Sequence, residues 1–259
     1  MENPSYASAP LFQLRQVSHL YGGRHRSVLA LDNINLKVDP GERIGIVGES
    51  GSGKSTLARL LVALVKPSGG EILFRGQPLP TKREALLDFR RQVQIVFQDP
   101  FASLDPRLTI GQSIAEPIHA LGIREDVPSR VLELLEAVGL APSSNALYPH
   151  QLSGGQRQRV SIARALAPRP TTLVADEAVS ALDVSVRAQV LNVIARLVQE
   201  LGLTLVFISH DMSVVRHISS RVVVLYRGAI VEDNKTEVVF TNPQHPYTRA
   251  LLAAIPRLR

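Results

Sequence analysis

The segment GESGSGKST at residues 48–56 constrains the fold most, because it fits the pattern G-x-x-x-x-G-K-[ST]. The apolar segment ERIGIVG at 42–48 leads into it as a strand, and Lys54 to Val65 follow with helical periodicity and no helix breaker. Glycines let such a loop turn its backbone N–H groups towards one anion, and the helix N-terminus adds its dipole. A Gly/Ser-rich turn that binds nothing is the alternative, but the position between strand and helix favours a phosphate-binding loop. The segment therefore predicts a nucleoside triphosphate site.

The residues of this loop have distinct predicted tasks. Lys54 would reach the β- and γ-phosphates, and the Ser55 hydroxyl would be a ligand of Mg²⁺. The other predicted nucleotide contacts come from the rest of the loop: Gly48, Glu49, Ser50, Gly51, Ser52, Gly53 and Thr56. ATP and Mg²⁺ are accordingly the predicted cofactors.

A second acidic site is predicted at TTLVADE, residues 171–177, where an apolar strand ends in two carboxylates. Asp176 could hold Mg²⁺ through a water molecule, and Glu177 could orient or deprotonate an attacking water. In isolation, an acidic strand end that caps a loop would be the simpler explanation. Downstream of a phosphate loop, at a spacing suited to one sheet, the catalytic role is favoured.

The order of predicted elements indicates an α/β fold. Residues 11–17 and 28–38 alternate apolar and polar residues, which is typical of half-buried antiparallel strands. Beyond them, continuous apolar strands alternate with helical segments, which predicts a mainly parallel sheet covered on both faces. Residues 99–150 have turn chemistry followed by helical segments and indicate a helical insertion.

Composition excludes several classes of protein. The 259 residues predict one large domain, or one domain with an insertion, after a flexible leader at 1–10. With no cysteine there is no disulfide, Cys-ligated zinc, iron–sulfur cluster or thiol nucleophile. No run of about 18 apolar residues and no signal-peptide pattern is present, so we expect a chain that neither spans a membrane nor is exported. A net charge of +6 is modest and decides nothing by itself, while 5% aromatic residues without tryptophan argue against a base-stacking surface, and we expect no nucleic-acid partner.

The segment LSGGQRQR at 152–159 contains a second predicted anion site. Ser153 and Gln156 have the spacing of a capping box, and Gly154 and Gly155 expose the amides of a helix N-terminus without an evident structural gain. The segment resembles the signature motif of ATP-binding cassette (ABC) ATPases. The resemblance implies that two ATPase domains pair head to tail, each signature closing on the γ-phosphate held by its partner.

Four further residues match motifs of that family over about residues 11–232. Tyr21 matches the aromatic residue that stacks on adenine, although an early tyrosine is more often a packing residue. Gln98 matches the glutamine that touches Mg²⁺ and the attacking water, and otherwise would be an unremarkable strand end. Asp183 in SALD matches a residue near the dimer seam and also suits a helix N-cap. His210 matches the histidine that contacts the γ-phosphate, and the resemblance gives Glu177, His210 and Gln98 catalytic roles.

Three segments resemble more narrowly the ATPases of oligopeptide, dipeptide and nickel importers: FQDPFASLDPR at 97–107, SALDVSVRAQVLN at 180–192 and TNPQHPYTRALLAAIP at 241–256. Two departures are an absent cysteine-rich tail and Ala178, where many relatives have proline. The resemblance implies a P-loop NTPase core with an N-terminal antiparallel β-subdomain. It further implies a helical subdomain inserted at about 99–165 and an importer-type segment at about 235–259.

The function implied is an ATP-hydrolysing subunit at the cytoplasmic face of the membrane that energises import of peptides or nickel. Its partners would be transmembrane permease subunits, a second ABC ATPase of the same or a similar sequence, and indirectly a solute-binding protein. The helical insertion, with Phe101 and Leu104, would dock the membrane subunits, although a purely structural role for both residues is an open alternative. Four arginines are predicted to form a solvated helix face: Arg157, Arg159, Arg164 and Arg169.

Two other functions remain as alternatives. A soluble ABC ATPase of DNA repair or translation would carry long coiled coils or two cassettes in one chain, and this sequence has neither. A non-catalytic ATP-binding module would have lost Lys54, Glu177 or His210, and all three are present.

Overall fold

The computed structural model describes residues 9–23 and 26–254, and within these ranges the chain forms two β-sheets with helices packed against them. The predicted leader at 1–10 falls almost wholly outside the described residues. The smaller sheet is antiparallel, in the order β2-β1-β4-β5. Its strands are β1 (Phe12–Gly23), β2 (Arg26–Val38), β4 (Gly69–Phe74) and β5 (Gln77–Pro78).

The larger sheet has the order β10-β9-β3-β8-β7-β6 and is parallel except for β10, which pairs antiparallel with β9. Its strands are β3 (Arg43–Val47), β6 (Val93–Val96), β7 (Thr172–Asp176), β8 (Thr204–Ser209), β9 (Arg221–Tyr226) and β10 (Ala229–Lys235). The carboxyl ends of β3, β7 and β8 therefore meet at one edge, where open α/β sheets bind their ligands.

The helices connect these strands and follow them in the chain. They are α1 (Lys54–Leu61), α2 (Arg83–Gln92), α3 (Pro100–Ser103), α4 (Ile110–Ala120), α5 (Val127–Ala137), α6 (Gly154–Leu166), α7 (Val184–Glu200), α8 (Met212–Ile218), α9 (Thr236–Thr241) and α10 (Pro246–Ala253). Helix α1 is shorter than predicted, because Ala63 takes a positive φ of 53° just beyond its end. Helices α2, α3, α8, α9 and α10 were not predicted from the sequence.

Two apolar clusters lie on opposite faces of the larger sheet. One contains Leu205 and Phe207 from β8 together with residues of helices α4 to α7. The other contains Val206 and Ile208 from the same strand together with α1 and the antiparallel sheet. This alternation along a strand buried on both faces confirms the predicted α/β fold class. The predicted bounds of the helical and C-terminal segments stay predictions.

Of the two docking residues predicted in the helical insertion, Leu104 is buried, whereas the role of Phe101 stays a prediction. Leu104 is only 4% exposed and belongs to the cluster that holds the helical segment on the sheet. A side chain buried in this way stabilises the fold and offers no docking surface. The side chain of Phe101 lies outside the described residues.

The four arginines predicted as a solvated helix face do not form one, because Arg157, Arg159 and Arg164 on α6 are only partly exposed and Arg169 lies exposed beyond the end of that helix. Arg157 donates to the carbonyl oxygen of Pro149 at 2.6 Å, and Arg164 donates to that of Ser103 at 2.7 Å. Arg159 and Arg169 reach Gln189 and Glu125 respectively. Neighbouring segments supply acceptors to the three arginines of α6, so their guanidinium groups tie this helix to its surroundings.

Candidate active site

The phosphate loop joins β3 to α1 and has a backbone that depends on glycine at two positions. Gly48 and Gly53 have φ values of 157° and 107°. A Cβ atom at Gly48 would lie 2.2 Å from the carbonyl oxygen of Leu225, and one at Gly53 would lie 2.5 Å from that of Ala30. The loop thus packs tightly against β9 and β2, which explains the fixed glycines of the pattern.

The N-terminus of α1 is open. Gly53 is its N-cap residue in the left-handed conformation, and no side chain caps the helix. The first N–H groups of a helix have no partner within it, and with no capping oxygen they can donate to an anion. This uncapped terminus, together with the glycine-rich loop before it, fits a phosphate group.

Lys54 is held inside the loop. Its side chain is 4% exposed, and Nζ donates to the carbonyl oxygens of Gly48 and Glu49, both at 2.8 Å. Nζ also lies 3.8 Å from Oε1 of Glu177. Burial lowers the pKa of Lys54, and the nearby carboxylates of Glu177 and Asp176 oppose this effect. An ammonium group has three N–H donors, so one remains for a phosphate oxygen beyond the two carbonyls.

Ser55 and Asp176 meet at the same edge of the sheet. The Ser55 hydroxyl donates to Oδ1 of Asp176 at 3.1 Å, although the two residues are 121 positions apart. Burial raises the pKa of Asp176, and the hydrogen bond from Ser55 opposes that effect. Gln98 lines a cavity of about 420 Å³ together with both residues.

This oxygen set fits Mg²⁺, which prefers hydroxyl, carboxylate and phosphate oxygens. Within the described ranges, no group of three or more His, Cys, Asp or Glu residues could hold a metal ion. The geometry therefore suits an ion that takes part of its ligands from the phosphates of a nucleotide.

Glu177 stands between Lys54 and His210. Its Oε2 lies 3.3 Å from Nδ1 of His210, while Oε1 faces Lys54. The backbone of Glu177 has a positive φ of 48°, and its N–H donates to the carbonyl oxygen of Ile208 at 3.0 Å. The Ser180 hydroxyl donates to the carbonyl oxygen of Glu177 at 2.9 Å. A backbone in this sparsely populated region persists only where its surroundings hold it, and here they aim the carboxylate at the mouth of the loop.

Tyr21 reaches the loop from β1. Its hydroxyl lies 3.5 Å from that of Thr56, and its ring meets the ring of His19 edge-on at 4.6 Å. The side chain is 36% exposed, so part of the ring remains available beside the phosphate loop.

The signature segment begins α6 with the predicted capping box. The Ser153 hydroxyl accepts from the Gln156 N–H at 3.3 Å, and Gln156 Oε1 accepts from the Ser153 N–H at 2.9 Å. The Ser153 amide is therefore already in use. A Cβ atom at Gly155 would lie 2.2 Å from Cγ1 of Val186, so this glycine has a structural role that the sequence did not reveal.

Asp183 caps α7, which confirms the structural alternative for this residue. Its carboxylate accepts from the Val186 N–H at 3.0 Å, and that hydrogen bond is the main reason why the pKa of Asp183 is lowered. Arg187, which sequence reasoning missed, binds Oδ2 of Asp211 at 3.2 Å and the carbonyl oxygen of Leu182 at 3.1 Å. It thereby joins the residue after His210 to the residue before Asp183.

The structure thus sorts the predicted site residues into two groups. The first surrounds the phosphate loop and contains the loop itself, Tyr21, Gln98, Asp176, Glu177 and His210. The second contains the signature segment and Asp183, which lie beside α7. Among the described residues, no hydrogen bond or ion pair joins Ser153, Gly154, Gly155 or Gln156 to the loop.

Comparison with known proteins identifies two family matches. The family described as ABC transporter matches residues 31–180, and the oligopeptide/dipeptide transporter C-terminal region matches residues 231–259. The glutathione import ATP-binding protein GsiA of Salmonella typhimurium is 54% identical over 248 residues, 95% of this chain. That of Escherichia coli is 54% identical over 234 residues, 89% of this chain. The chain spans only about 40% of the length of these curated relatives.

Solved structures show the same fold. A dimeric ATP-binding cassette in a post-hydrolysis state, bound to ADP and Pi, has a TM-score of 0.79 and 32% identity. The match covers 87% of this chain and 98% of that one. The structure of cbiO1 from Clostridium perfringens, part of the ABC transporter complex cbiONQ, has a TM-score of 0.79 and 27% identity over 90% of this chain and 92% of that one.

Proposed function

Because this chain belongs to the ABC transporter family, as its signature motif predicted, we propose that it is the ATP-hydrolysing subunit of an importer for peptide-type solutes. The observation that carries the proposal is the convergence of Lys54, Glu177 and His210 on one uncapped helix N-terminus. These groups come from three separate segments and meet where a γ-phosphate would bind.

Each residue has a part in hydrolysis. The α1 amides and Lys54 bind the phosphates, and Tyr21 offers a ring for the adenine. Glu177 orients a water and takes its proton as the water oxygen bonds to the γ-phosphorus. The bond between that phosphorus and the β–γ bridging oxygen breaks, and ADP and phosphate leave. His210 holds Glu177 in place and lies within reach of the γ-phosphate.

Mg²⁺, when bound, neutralises negative charge on the phosphates. Ser55, Gln98 and, through water, Asp176 would hold it, in agreement with their shared cavity.

The second group of site residues supports a paired arrangement. Ser153 and Gln156 are exposed, and no described contact links them to the phosphate loop of the same chain. We therefore propose head-to-tail dimers in which each signature segment, through Ser153, Gly154 and Gly155, closes on the nucleotide of its partner. The partner is a second copy of this chain or a similar ATPase.

The import role is supported by the C-terminal match to the oligopeptide/dipeptide transporter region and by the glutathione import relatives. The same match favours a transporter over a soluble ABC ATPase of repair or translation. Among the described residues, no helix is long and apolar enough to cross a membrane. The chain would bind permease subunits at the cytoplasmic face of the membrane. A solute-binding protein would act through those subunits, and the transported solutes would be peptides or nickel. No nucleic acid takes part.

The test is Glu177→Gln in the full chain. The change keeps shape and removes the base, so hydrolysis should fall by a factor on the order of 10²–10⁴ while ATP still binds. The variant should accumulate as an ATP-bound dimer, measured by light scattering with ATP and Mg²⁺ and, where needed, with its partner ATPase. Glu200→Gln on the exposed end of α7 is the matched control and should hydrolyse ATP normally.

Adding Ser153→Arg should abolish this ATP-dependent dimer, because the arginine would fill the interface. A dimer that forms without ATP, or that tolerates Ser153→Arg, would refute closure by the signature segment. Unchanged hydrolysis in Glu177→Gln would refute the base assignment.

A further inference from the structure

The C-terminal helix α10 touches the phosphate loop. The hydroxyl of Tyr247 accepts a hydrogen bond from the backbone N–H of Glu49 at 2.8 Å, across 198 positions of sequence. The Tyr247 ring lies 4.2 Å from the ring of Tyr226, at the end of β9. One contact is thus directional and polar, whereas the other is a broad packing contact.

Contacts at the start of α10 hold Tyr247 in place. The buried carboxylate of Glu232 on β10 accepts from the N–H groups of Gln244 and His245, at 2.9 and 3.1 Å. His245 caps α10, accepting from the Tyr247 N–H at 3.2 Å. Glu232 therefore anchors the start of α10 to the sheet, and Tyr247 starts from a rigid position.

Glu49 links Tyr247 to Lys54 of the phosphate loop. Its N–H donates to Tyr247, and its carbonyl oxygen accepts from Nζ of Lys54 at 2.8 Å. Two hydrogen bonds therefore connect the C-terminal helix to Lys54. The Glu49 amide belongs to the part of the loop before the α1 N-terminus, so Tyr247 does not compete with phosphate for the amides of α1.

We propose that Tyr247 is a positioning residue for the phosphate loop, through which the C-terminal segment and nucleotide binding are coupled. The inference rests on the proposed ATP binding and extends it to residues outside the nucleotide motifs. If Tyr247 holds the loop in its binding conformation, nucleotide can bind without first ordering the loop. When fewer chains have the loop in that conformation, the apparent affinity for nucleotide is lower. Because coupling is reciprocal, nucleotide must in turn stabilise the docking of α10.

The test compares Tyr247→Phe with Tyr226→Phe in the full chain. The first change removes the hydrogen bond to Glu49 and keeps the contact between the two rings, whereas the second removes only the hydroxyl of the neighbouring ring. Titration with ATP and Mg²⁺ should give a Kd about threefold to tenfold higher for Tyr247→Phe, the usual worth of one neutral hydrogen bond, and no change for Tyr226→Phe. KM for ATP should rise with Kd while kcat stays within about twofold, since the loop is formed once ATP is bound.

Hydrogen exchange provides a second measurement. The Glu49 amide should exchange faster in nucleotide-free Tyr247→Phe than in the unmodified protein or in Tyr226→Phe. Adding ATP and Mg²⁺ should slow exchange along Pro246–Ala253 in the unmodified protein, and this protection should be smaller in Tyr247→Phe.

Three outcomes would overturn the inference, and they differ from one another. If the unmodified protein binds ATP and Tyr247→Phe binds it equally well, Tyr247 does not position the loop. If the affinity falls only together with the melting temperature of the nucleotide-free protein, the residue merely stabilises the fold. If the unmodified protein does not bind ATP, the proposed function fails first and the inference fails with it.

Discussion

Two helix N-termini in this molecule have serine and glycine residues at or just before the helix start, but they differ in how their backbone N–H groups are used. Helix α1 starts at Gly53 with no side-chain cap, and the phosphate loop wraps in front of it. Helix α6 starts at Ser153 with a reciprocal capping box, so the amides of Ser153 and Gln156 already have partners. Similar composition therefore produces an open terminus in one place and a partly closed one in the other.

This difference indicates that the two helix N-termini have different roles. The α1 terminus has open amides and a buried lysine, both of which can bind phosphate, and nearby carboxylates that suit Mg²⁺ and an attacking water. The α6 terminus can offer the Ser153 hydroxyl and the amides of Gly154 and Gly155, with no lysine in the segment. It is suited to complete a site that another chain has already formed. The following predictions test this contrast.

The largest effect is expected for Lys54→Ala. Loss of a charge-assisted contact should weaken ATP binding by about tenfold to a hundredfold, measured by titration calorimetry. The melting temperature without nucleotide should change little, because Lys54 contacts loop carbonyls and the carboxylate of Glu177 but belongs to neither apolar cluster. Unchanged affinity for ATP, or a large loss of stability without nucleotide, would contradict the role of Lys54 at the α1 terminus as a phosphate ligand.

Next in size is Gly155→Ala. Its Cβ atom would overlap Val186, so the free energy of unfolding should fall by about 1–3 kcal/mol in urea. Gly154→Ala is the matched control, since its Cβ would lie 3.7 Å from Leu182, an ordinary contact. Equal stability of the two variants would contradict the close approach of α6 and α7.

The capping box should contribute about 1 kcal/mol. Ser153→Ala should lower the free energy of unfolding by that amount, and Thr109→Ala in the capping box of α4 should do the same. Only the change at Ser153 should also weaken ATP-dependent dimerisation, measured by light scattering. A matching loss of dimerisation in Thr109→Ala would mean that the signature segment has no special role.

The smallest effect, a change in melting temperature, is expected for Asp176→Asn, which tests the carboxylate next to the N-terminus of α1. Burial raises the pKa of Asp176, so the ionised form opposes folding once the pH rises through the folded-state pKa. The variant without nucleotide should therefore melt slightly higher than the unmodified protein near pH 7–8. This gain should shrink as the pH falls, because the carboxyl of the folded protein is protonated at a higher pH than that of the unfolded chain. A lower melting temperature at pH 8 would refute this account of the carboxylate.

Much of the site could be predicted because its patterns are local. The loop spacing, the start of α1 near Lys54 and the Ser153–Gln156 capping box all involve residues within a few positions of one another. Hydrophobic periodicity likewise predicted the strands that end at Val47, Asp176 and Ser209. It could not assign Leu104 or the α6 arginines, because their surroundings come from other segments.

The sequence by itself determined which chemistry is present: a phosphate loop, two adjacent carboxylates, a histidine after a buried strand and a capped signature helix. Tertiary structure alone decided which of these groups meet. The order of the strands brings Glu177, just after β7, to His210, just after β8, and to Lys54, and the packing of α10 brings Tyr247 to Glu49. Hydrogen bonds act over about 3 Å, whereas these residues lie 33 to 198 positions apart. Only the packing of the whole chain can bring such distant residues into contact.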